Sequence, residues 1–171
     1  MGLAKKICLL GDFSVGKTSL IRRYVHDEFS LDYHATVGVQ VHQYRDEIET
    51  CRGVVSIDQV IWDIEGSKIG DEVVTSYILG SAGALIVGDA ARRSAVDPMS
   101  SHARRFLDVL PGRPVVFAMN KADLVAEDAR PDPGELVDTF GGEFVHTSAL
   151  TGEGVGALFH TLCRRILDVG A

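Results

Sequence analysis

The chain has 171 residues, of which 46% are hydrophobic and 24% charged, and its formal net charge at pH 7 is -7. This length fits one domain, residues 1–171, and the composition is that of an ordinary globular protein rather than a disordered or fibrous one. The negative charge disfavours a general binder of nucleic acids or anionic membranes. Any anionic ligand must therefore be held by specific groups.

Three scattered cysteines, Cys8, Cys51 and Cys163, lack metal-ligand spacing, which predicts reduced thiols and argues against a zinc site. No apolar run approaches the roughly 20 residues of a membrane span, and no signal peptide is visible. Lys6 occupies the position at which a myristoylation motif has Ser or Thr, and the ending LDVGA has no prenylation motif. These features predict a cytoplasmic protein without a visible lipid anchor.

The first predicted elements form half of a βα unit. The apolar run AKKICLL (4–10) predicts a strand, and KTSLIRRYV (17–25) predicts a helix after a glycine-rich turn. Two β-branched runs follow, VQVHQYRDEIE (39–49) and VVSIDQVIWDI (54–64). Because a short turn separates them, they predict a hairpin.

The middle of the chain predicts parallel strands that are buried on both faces. GALIVGDA (83–90), RPVVFAMNKAD (113–123) and GEFVHTSA (142–149) are apolar runs that end in polar residues. This pattern is typical of strands with ligand groups at their carboxyl ends. Between the first two runs a helix is predicted, with Asp97 as its N-cap and Pro98 in its first turn.

The end of the chain completes the predicted fold. Apolar residues recur at helical spacing from Val155 to Leu167, which predicts a last helix docked on the sheet. The stretch AEDARPDPG (126–134) is the most loop-like part of the chain. Alternating strands and helices imply a three-layer α/β fold with right-handed crossovers.

The segment GDFSVGKT, residues 11–18, fits the phosphate-loop pattern G-x-x-x-x-G-K-[ST] between a predicted strand and a predicted helix. Its glycines let successive N–H groups converge on phosphate oxygens. Lys17 adds charge near the β- and γ-phosphates, and Thr18 offers a hydroxyl to Mg²⁺. A chance match in a chain of this length is on the order of one in a hundred. The segment therefore predicts a bound nucleotide.

Two later motifs favour guanine as the base. In NKAD (120–123), the Asp123 carboxylate can accept hydrogen bonds from guanine N1 and N2, a donor pair that adenine lacks. In TSAL (147–150), the Ala149 N–H can donate to guanine O6, while Lys121 covers the ring. Each tetrapeptide alone is weak evidence, because Asn-Lys is usually a solvated turn and Ser-Ala is usually packing. When both motifs follow a phosphate loop in this order, they are stronger evidence for guanine binding.

With these motifs in this order, the chain resembles a small GTPase of the Ras superfamily, in the style of its Rab branch. The resemblance covers nearly the whole length and rests on GDFSVGKTSL, YHATVG, WDIEG, NKAD and TSALTGEGV. It implies a P-loop NTPase G domain with a six-stranded, mostly parallel sheet, one antiparallel strand and helices on both faces. It also implies bound GTP or GDP with Mg²⁺, and switch loops that effector, exchange and activating proteins read.

The resemblance implies roles for single residues. Mg²⁺ would be held by Thr18, Thr36 and Asp63, with Thr36 joining only when the γ-phosphate is present. Tyr33 would cover the phosphates and Phe29 would pack beside the base, although both could merely fill core. The implied nucleotide-binding residues are Phe13, Ser14, Val15, Gly16, Lys17, Thr18, Ser19, Phe29, Tyr33, Thr36, Gly66, Asn120, Lys121, Asp123, Ser148, Ala149 and Leu150, and the implied catalytic residues are Lys17, Thr36, Gly66 and Ser67.

Departures from the family pattern concern hydrolysis. Ser67 stands where the family usually carries a glutamine that orients the attacking water, and its side chain is too short to copy that reach. Phe13 and Glu65 replace small residues: the ring could obstruct a partner's arginine, and the carboxylate could repel the γ-phosphate or compete for Mg²⁺. Leu150 replaces a lysine at a place where the backbone does the binding. Intrinsic hydrolysis is therefore expected to be slow.

Three functions compete on this evidence. The leading one is a GTP/GDP switch with slow phosphohydrolase activity. Its rival is a scaffold module that holds one nucleotide permanently, which Glu65 and Ser67 favour somewhat. A third function, that of a small-molecule kinase, is disfavoured because this sequence has no lid segment and because NKAD would then have no explanation.

Four arginines are expected on solvated faces rather than in the site: Arg92, Arg93, Arg104 and Arg105.

Overall fold

A computed structural model describes residues 3–32, 36–65 and 71–169 of the chain. The strands are β1 Leu3–Leu10, β2 Val39–Thr50, β3 Gly53–Ile64, β4 Gly83–Asp89, β5 Val115–Asn120 and β6 Glu143–His146. The helices are α1 Lys17–His26, α2 Asp71–Ile78, α3 Val96–Val109, α4 Gly134–Phe140 and α5 Val155–Val169. The strands and helices predicted from periodicity are present near their predicted positions, and α2 and α4 are additional.

The strands form one six-stranded sheet in the order β2-β3-β1-β4-β5-β6. β2 runs antiparallel to β3, from Val39 opposite Ile64 to Thr50 opposite Gly53, so the predicted hairpin is confirmed. The other neighbouring strands pair in parallel. This is the mostly parallel sheet with one antiparallel strand that the family resemblance implies.

Helices cover both faces of the sheet because strand side chains alternate between them. Leu9 of β1 is fully buried in a cluster that includes Phe159 of α5. The next residue, Leu10, belongs to the opposite cluster, which includes Phe106 of α3. Each fully buried side chain of this size stabilises the fold by about 1.5–3 kcal/mol. The predicted three-layer arrangement is therefore confirmed.

The parallel register brings the polar strand ends to one edge of the sheet. Asp63 of β3 lies opposite Leu9 of β1, just before the phosphate loop. Asp89 of β4 lies opposite Asn120 of β5, and Met119 lies opposite His146 of β6. Segments that are far apart in sequence therefore meet at the carboxyl ends of the strands, where ligands of open α/β sheets bind.

The start of α3 differs from the prediction. The helix begins at Val96, Ala95 occupies the N-cap position, and no side chain caps it. The assignment of Asp97 as N-cap is therefore wrong. Ala95 is buried in the core, so packing places the helix start earlier than the Asp-Pro signal does. Asp97 lies in the first turn, where a carboxylate still interacts favourably with the helix dipole.

The three cysteines are free thiols, as predicted. Cys51 is exposed beyond β2, whereas Cys8 and Cys163 are buried. Burial raises the pKa of the Cys8 thiol to about 12 and does the same for Cys163. The two buried thiols therefore stay protonated at neutral pH. Over the described part of the chain, helices are too short or too polar to cross a membrane.

Candidate nucleotide-binding site

A cavity of about 330 Å³ opens at the carboxyl edge of the sheet. It joins the phosphate loop to the NKAD and TSAL segments. The predicted binding residues that line it are Phe13, Ser14, Gly16, Lys17, Thr18, Ser19, Phe29, Thr36, Asn120, Lys121, Asp123, Ala149 and Leu150. One space therefore contains groups suited to phosphates and groups suited to a purine base.

The Lys17 side chain is folded back over the phosphate loop. It is 6% exposed, and its Nζ donates to the carbonyls of Gly11 at 2.8 Å and Asp12 at 3.0 Å. Burial lowers the pKa of Lys17 to about 8, and the charge of Asp63 opposes that shift. Lys17 is the first residue of α1, so its ammonium lies beside a helix N-terminus, which also attracts anions.

The phosphate loop and the NKAD motif are packed against each other. Gly16 has a φ of 99°, and a Cβ there would overlap the side-chain amide of Asn120. Because Gly16 leaves this space open, the Asn120 amide donates to the Val15 carbonyl at 2.9 Å. Thr147 in turn donates to the Asn120 amide oxygen at 3.2 Å. Val15 itself is buried in the core and contributes its backbone rather than lining the cavity.

Lys121 connects the same two motifs. Its backbone is left-handed, with a φ of 62°. Its Nζ donates to the Ser14 carbonyl at 2.8 Å and to Asp89 Oδ2 at 2.7 Å. The ammonium thus joins the phosphate loop to the end of β4, and the residue also lines the cavity.

Asp123 is oriented by Ser148. The Ser148 hydroxyl donates to Asp123 Oδ1 at 2.5 Å and accepts from the Thr151 N–H at 3.1 Å. Ser148 is fully buried and does not line the cavity. Its place is therefore behind the carboxylate, where it holds Oδ1 of Asp123, a residue that lines the cavity.

Three oxygen-bearing side chains meet beside the phosphate loop, at the end of the cavity that is named the phosphate end. The Thr18 hydroxyl donates to Asp63 Oδ2 at 2.5 Å and lies 2.9 Å from the Thr36 hydroxyl, which lies 3.3 Å from the same carboxylate oxygen. Burial raises the pKa of Asp63, and the Thr18 hydroxyl and Lys17 oppose the shift. Asp63 Oδ1 is buried without a hydrogen-bond partner among the described residues.

This cluster fits Mg²⁺. Hydroxyl and carboxylate oxygens are the hard ligands that Mg²⁺ prefers, and the ion usually keeps several waters. Burying a carboxylate is costly, and a hydrated cation beside the two hydroxyls and Asp63 Oδ2 would offset that cost. Among residues 3–32, 36–65 and 71–169, no group of three His, Cys, Asp or Glu side chains is placed to hold a metal.

Glu65 closes the phosphate end of the cavity. Its N–H donates to the Gly38 carbonyl at 2.9 Å, and its Oε2 accepts from the Gly38 N–H at 2.8 Å. Glu65 also lines the cavity. The Glu65 carboxylate, which the sequence predicts to lie near the γ-phosphate, is thus hydrogen-bonded to the backbone of Gly38, two residues after Thr36.

Two side chains from α3 and the segment before it contact the phosphate loop. Arg92 donates to the Phe13 carbonyl at 2.9 Å, and His102 Nε2 lies 2.9 Å from Asp12 Oδ1. Arg105 is half-buried and pairs with Asp71. Arg92 is exposed, as expected, and also bonds to the phosphate loop, whereas the expectation of a solvated face does not hold for Arg105, which is only partly exposed. Arg93 and Arg104 are exposed, as expected.

Some lining residues escape the sequence reasoning. Arg22, Glu28, Ser30, Leu31, Asp32 and Leu124 also face the cavity, and no motif names them. Leu31 lies two residues after Phe29, and Leu124 directly follows NKAD, so nearness to a motif is the signal that would have found them. Leu31 and Leu124 are 88% and 65% exposed and give the mouth of the cavity an apolar rim.

Three predicted residues, Tyr33, Gly66 and Ser67, lie outside the described residues. Their assigned contacts with the phosphates and the attacking water stay predictions.

Comparison with known proteins identifies the family. Residues 6–123 match the family described as Ras of Complex, Roc, domain of DAPkinase. The Ras-related protein RABA4a of Arabidopsis thaliana is 34% identical over 174 residues, a match that covers 96% of this chain and 72% of that protein. The chain belongs to the Ras superfamily. The Ras-related protein Rab11C of Lotus japonicus is 31% identical over 170 residues, covering 96% of this chain and 76% of that protein.

This Rab-like small GTPase is thus a GTP-binding switch protein. Membership agrees with the order of the phosphate loop, NKAD and TSAL along the sheet edge. The resemblance inferred from those motifs is confirmed.

Proposed function

We propose that this small GTPase cycles between GTP and GDP and hydrolyses GTP slowly without a partner. The observation that supports this function is the shared cavity, which Lys17 lines at one end and Asp123 and Ala149 line at the other. An ammonium beside a helix N-terminus suits a polyphosphate. A carboxylate and a neighbouring backbone N–H suit the donor and acceptor edges of guanine.

In this proposal the phosphate loop and Lys17 bind the phosphates, and Phe29 and Lys121 pack against the base. Asp123, held by Ser148, accepts from guanine N1 and N2, and Ala149 donates to O6. An adenine base would leave the Asp123 carboxylate without its donors, which costs several kcal/mol of discrimination.

Isothermal titration calorimetry with Mg²⁺ tests the base preference. GTP and GDP should bind tightly, and ATP should bind on the order of 10³-fold more weakly or worse, because a site built to hydrogen-bond one base rejects another. Equal affinity for ATP and GTP, or binding of neither, contradicts the proposal.

Thr18, Thr36 and Asp63 would hold Mg²⁺, and the meeting of their oxygens supports that assignment. When bound, the ion neutralises charge on the β- and γ-phosphates. The residues of the chain then have separate tasks. Thr18 and Asp63 would bind the ion, and Thr36 would join it only when the γ-phosphate is present. Lys17 and Gly66 contribute positive charge and an N–H toward that phosphate.

Slow hydrolysis is proposed because Ser67 cannot orient the attacking water as a glutamine would. Single-turnover hydrolysis of bound GTP measures the step directly. Ser67→Gln should accelerate it by about tenfold or more, which corresponds to about 1.4 kcal/mol of barrier. Ser67→Ala is the matched control and should not accelerate it. A wild-type rate equal to that of glutamine-bearing relatives contradicts the proposal.

Effectors and regulators are proposed to read the segments around Thr36 and α2. Val37 is 85% exposed and Val73 is 44% exposed, so apolar surface is available there for a partner. An activating protein that supplies an arginine would raise the rate of hydrolysis by a factor of about 10³ to 10⁵.

A cytoplasmic location fits the free thiols of the chain.

A second candidate is a module that stays locked on one nucleotide. The contact between Glu65 and Gly38 favours it, because the carboxylate joins the two sides of the phosphate end through a bond within the protein. The nucleotide released by denaturing freshly purified protein distinguishes the candidates. GDP indicates turnover, whereas intact GTP indicates the locked module.

A further inference from the structure

Arg23 of α1 is bonded to the segment that would read the base. Its Nε donates to the Ala149 carbonyl and its Nη2 to the Leu150 carbonyl, both at 2.8 Å. Its Nη1 donates to the Asp27 carbonyl at 3.1 Å and to Asp27 Oδ1 at 3.0 Å. The side chain is 18% exposed. A guanidinium with these four bonds has a single well-defined orientation, because its fork is planar and rigid.

These bonds determine which way the backbone donors point. In a trans peptide the C=O and the following N–H are antiparallel, and no peptide bond of the described residues is cis. Because Arg23 holds the Ala149 carbonyl toward α1, the Leu150 N–H points away from α1. The Leu150 carbonyl is held in the same way, so the backbone at residue 150 cannot rotate freely.

The other side of Ala149 is held as well. The Ser148 N–H donates to the Glu153 carbonyl at 2.9 Å, and the Ser148 hydroxyl donates to Asp123. Ala149 and Leu150 both line the cavity. Across residues 3–32, 36–65 and 71–169, neither of their N–H groups donates to a protein acceptor. The segment thus offers the cavity two oriented donors for which the described residues supply no acceptor.

We propose that Arg23 is a positioning residue for guanine recognition, which holds the Ala149–Leu150 backbone so that its N–H groups meet the O6 edge of the base. This inference rests on the proposed function. Arg23 acts through the backbone and does not touch the nucleotide. It lies six residues after Lys17, about 9 Å along α1 at 1.5 Å per residue, so one helix supports both the phosphate end and the base end of the cavity.

The experiment measures affinities of purified protein for three diphosphates: GDP, 6-thio-GDP and IDP. 6-thio-GDP replaces O6 by sulfur, a weak acceptor, and so reports on the backbone donors. IDP lacks the 2-amino group and so reports on Asp123. Arg23→Ala should weaken GDP about tenfold, as expected for loss of charge-assisted bonds. The preference for GDP over 6-thio-GDP should fall by about threefold, while the preference for GDP over IDP stays within about twofold.

Two further variants make the result specific. Arg23→Lys keeps the charge but not the fork, so it should restore only part of the preference for GDP over 6-thio-GDP. Asp27→Asn removes the ion pair of Arg23 while keeping a residue type that tolerates the left-handed backbone at position 27, where φ is 53°. It leaves the two carbonyl bonds intact, so the preferences of wild type should be kept.

Several outcomes overturn the inference. It fails if Arg23→Ala changes both preferences equally, since that indicates general loosening of the site, or if it changes neither. If Arg23→Ala does not fold, as judged by thermal unfolding, Arg23→Lys decides: unchanged preferences overturn the inference. Failure of wild type to bind GDP would instead contradict the proposed function, so the two failures are distinguishable.

Discussion

The two ends of the cavity differ in how far the protein completes them. At the base end, Asp123 and the backbone at residues 149 and 150 are already held by Ser148 and Arg23. At the phosphate end, Asp63 keeps a buried oxygen without a partner among the described residues. The difference indicates that contacts within the protein hold the proposed base end, whereas the proposed phosphate end leaves a buried carboxylate beside two hydroxyls for a cation.

The physical origin of this difference is the set of elements that carry the residues. The base end stands beyond the tips of β5 and β6, where Arg23 of α1 and Asn120 of β5 hold the loop that follows β6 through hydrogen bonds. Thr36 at the phosphate end lies outside any strand or helix, before β2. Preorganised groups lose little freedom on binding, so they contribute more of their interaction energy to affinity.

The largest expected effect tests the base end. Asp123→Ala should weaken GTP and GDP by on the order of 10³-fold or more, because guanine N1 and N2 lose their acceptor, while ATP binding stays as weak as before. Asp128→Ala removes an exposed carboxylate five residues away and should leave affinity unchanged. Titration calorimetry measures both variants. A small loss for Asp123→Ala would show that the base end is not organised around this carboxylate.

The next effect tests the phosphate end. Mg²⁺ is expected to increase the affinity of the protein for GDP, and Asp63→Asn should reduce that increase by a factor of about 10 to 100. In excess EDTA, its GDP dissociation rate should equal that of wild type, because the amide still accepts from Thr18 and Thr36. Release of a fluorescent GDP analogue with and without Mg²⁺ measures the change. Equal weakening under both conditions would indicate a purely structural role for Asp63.

The smallest effect concerns the charge that closes the phosphate end. Glu65→Gln keeps an acceptor for the Gly38 N–H and removes the negative charge. The ratio of GTP to GDP affinity should rise by about fivefold, since relief of one like-charge interaction near the γ-phosphate is worth about 1 kcal/mol. Glu72→Gln, in the exposed first turn of α2, is the matched control. A falling ratio would mean that Glu65 supports GTP binding instead.

The base end and the phosphate end were also unequal in what the motifs could predict. The side chains named by NKAD and TSAL line the cavity or stand directly behind it. The residues that hold them, such as Arg23, belong to no motif. At the phosphate end, Thr18, Thr36 and Asp63 are brought together as the resemblance implies, but the reach of Glu65 to Gly38 depends on where β2 and β3 end.

The sequence by itself determined the order of the strands and of the helices α1, α3 and α5, the phosphate loop and the motifs at the strand ends. These signals are local: hydrophobic period, turn residues and short spacings decide them. Only the tertiary structure decided which side chains support the site. Arg23 and Ala149 are 126 residues apart, and Asn120 and Val15 are 105 apart. Such contacts depend on how α1 packs on the sheet and on strand register, which no local pattern specifies.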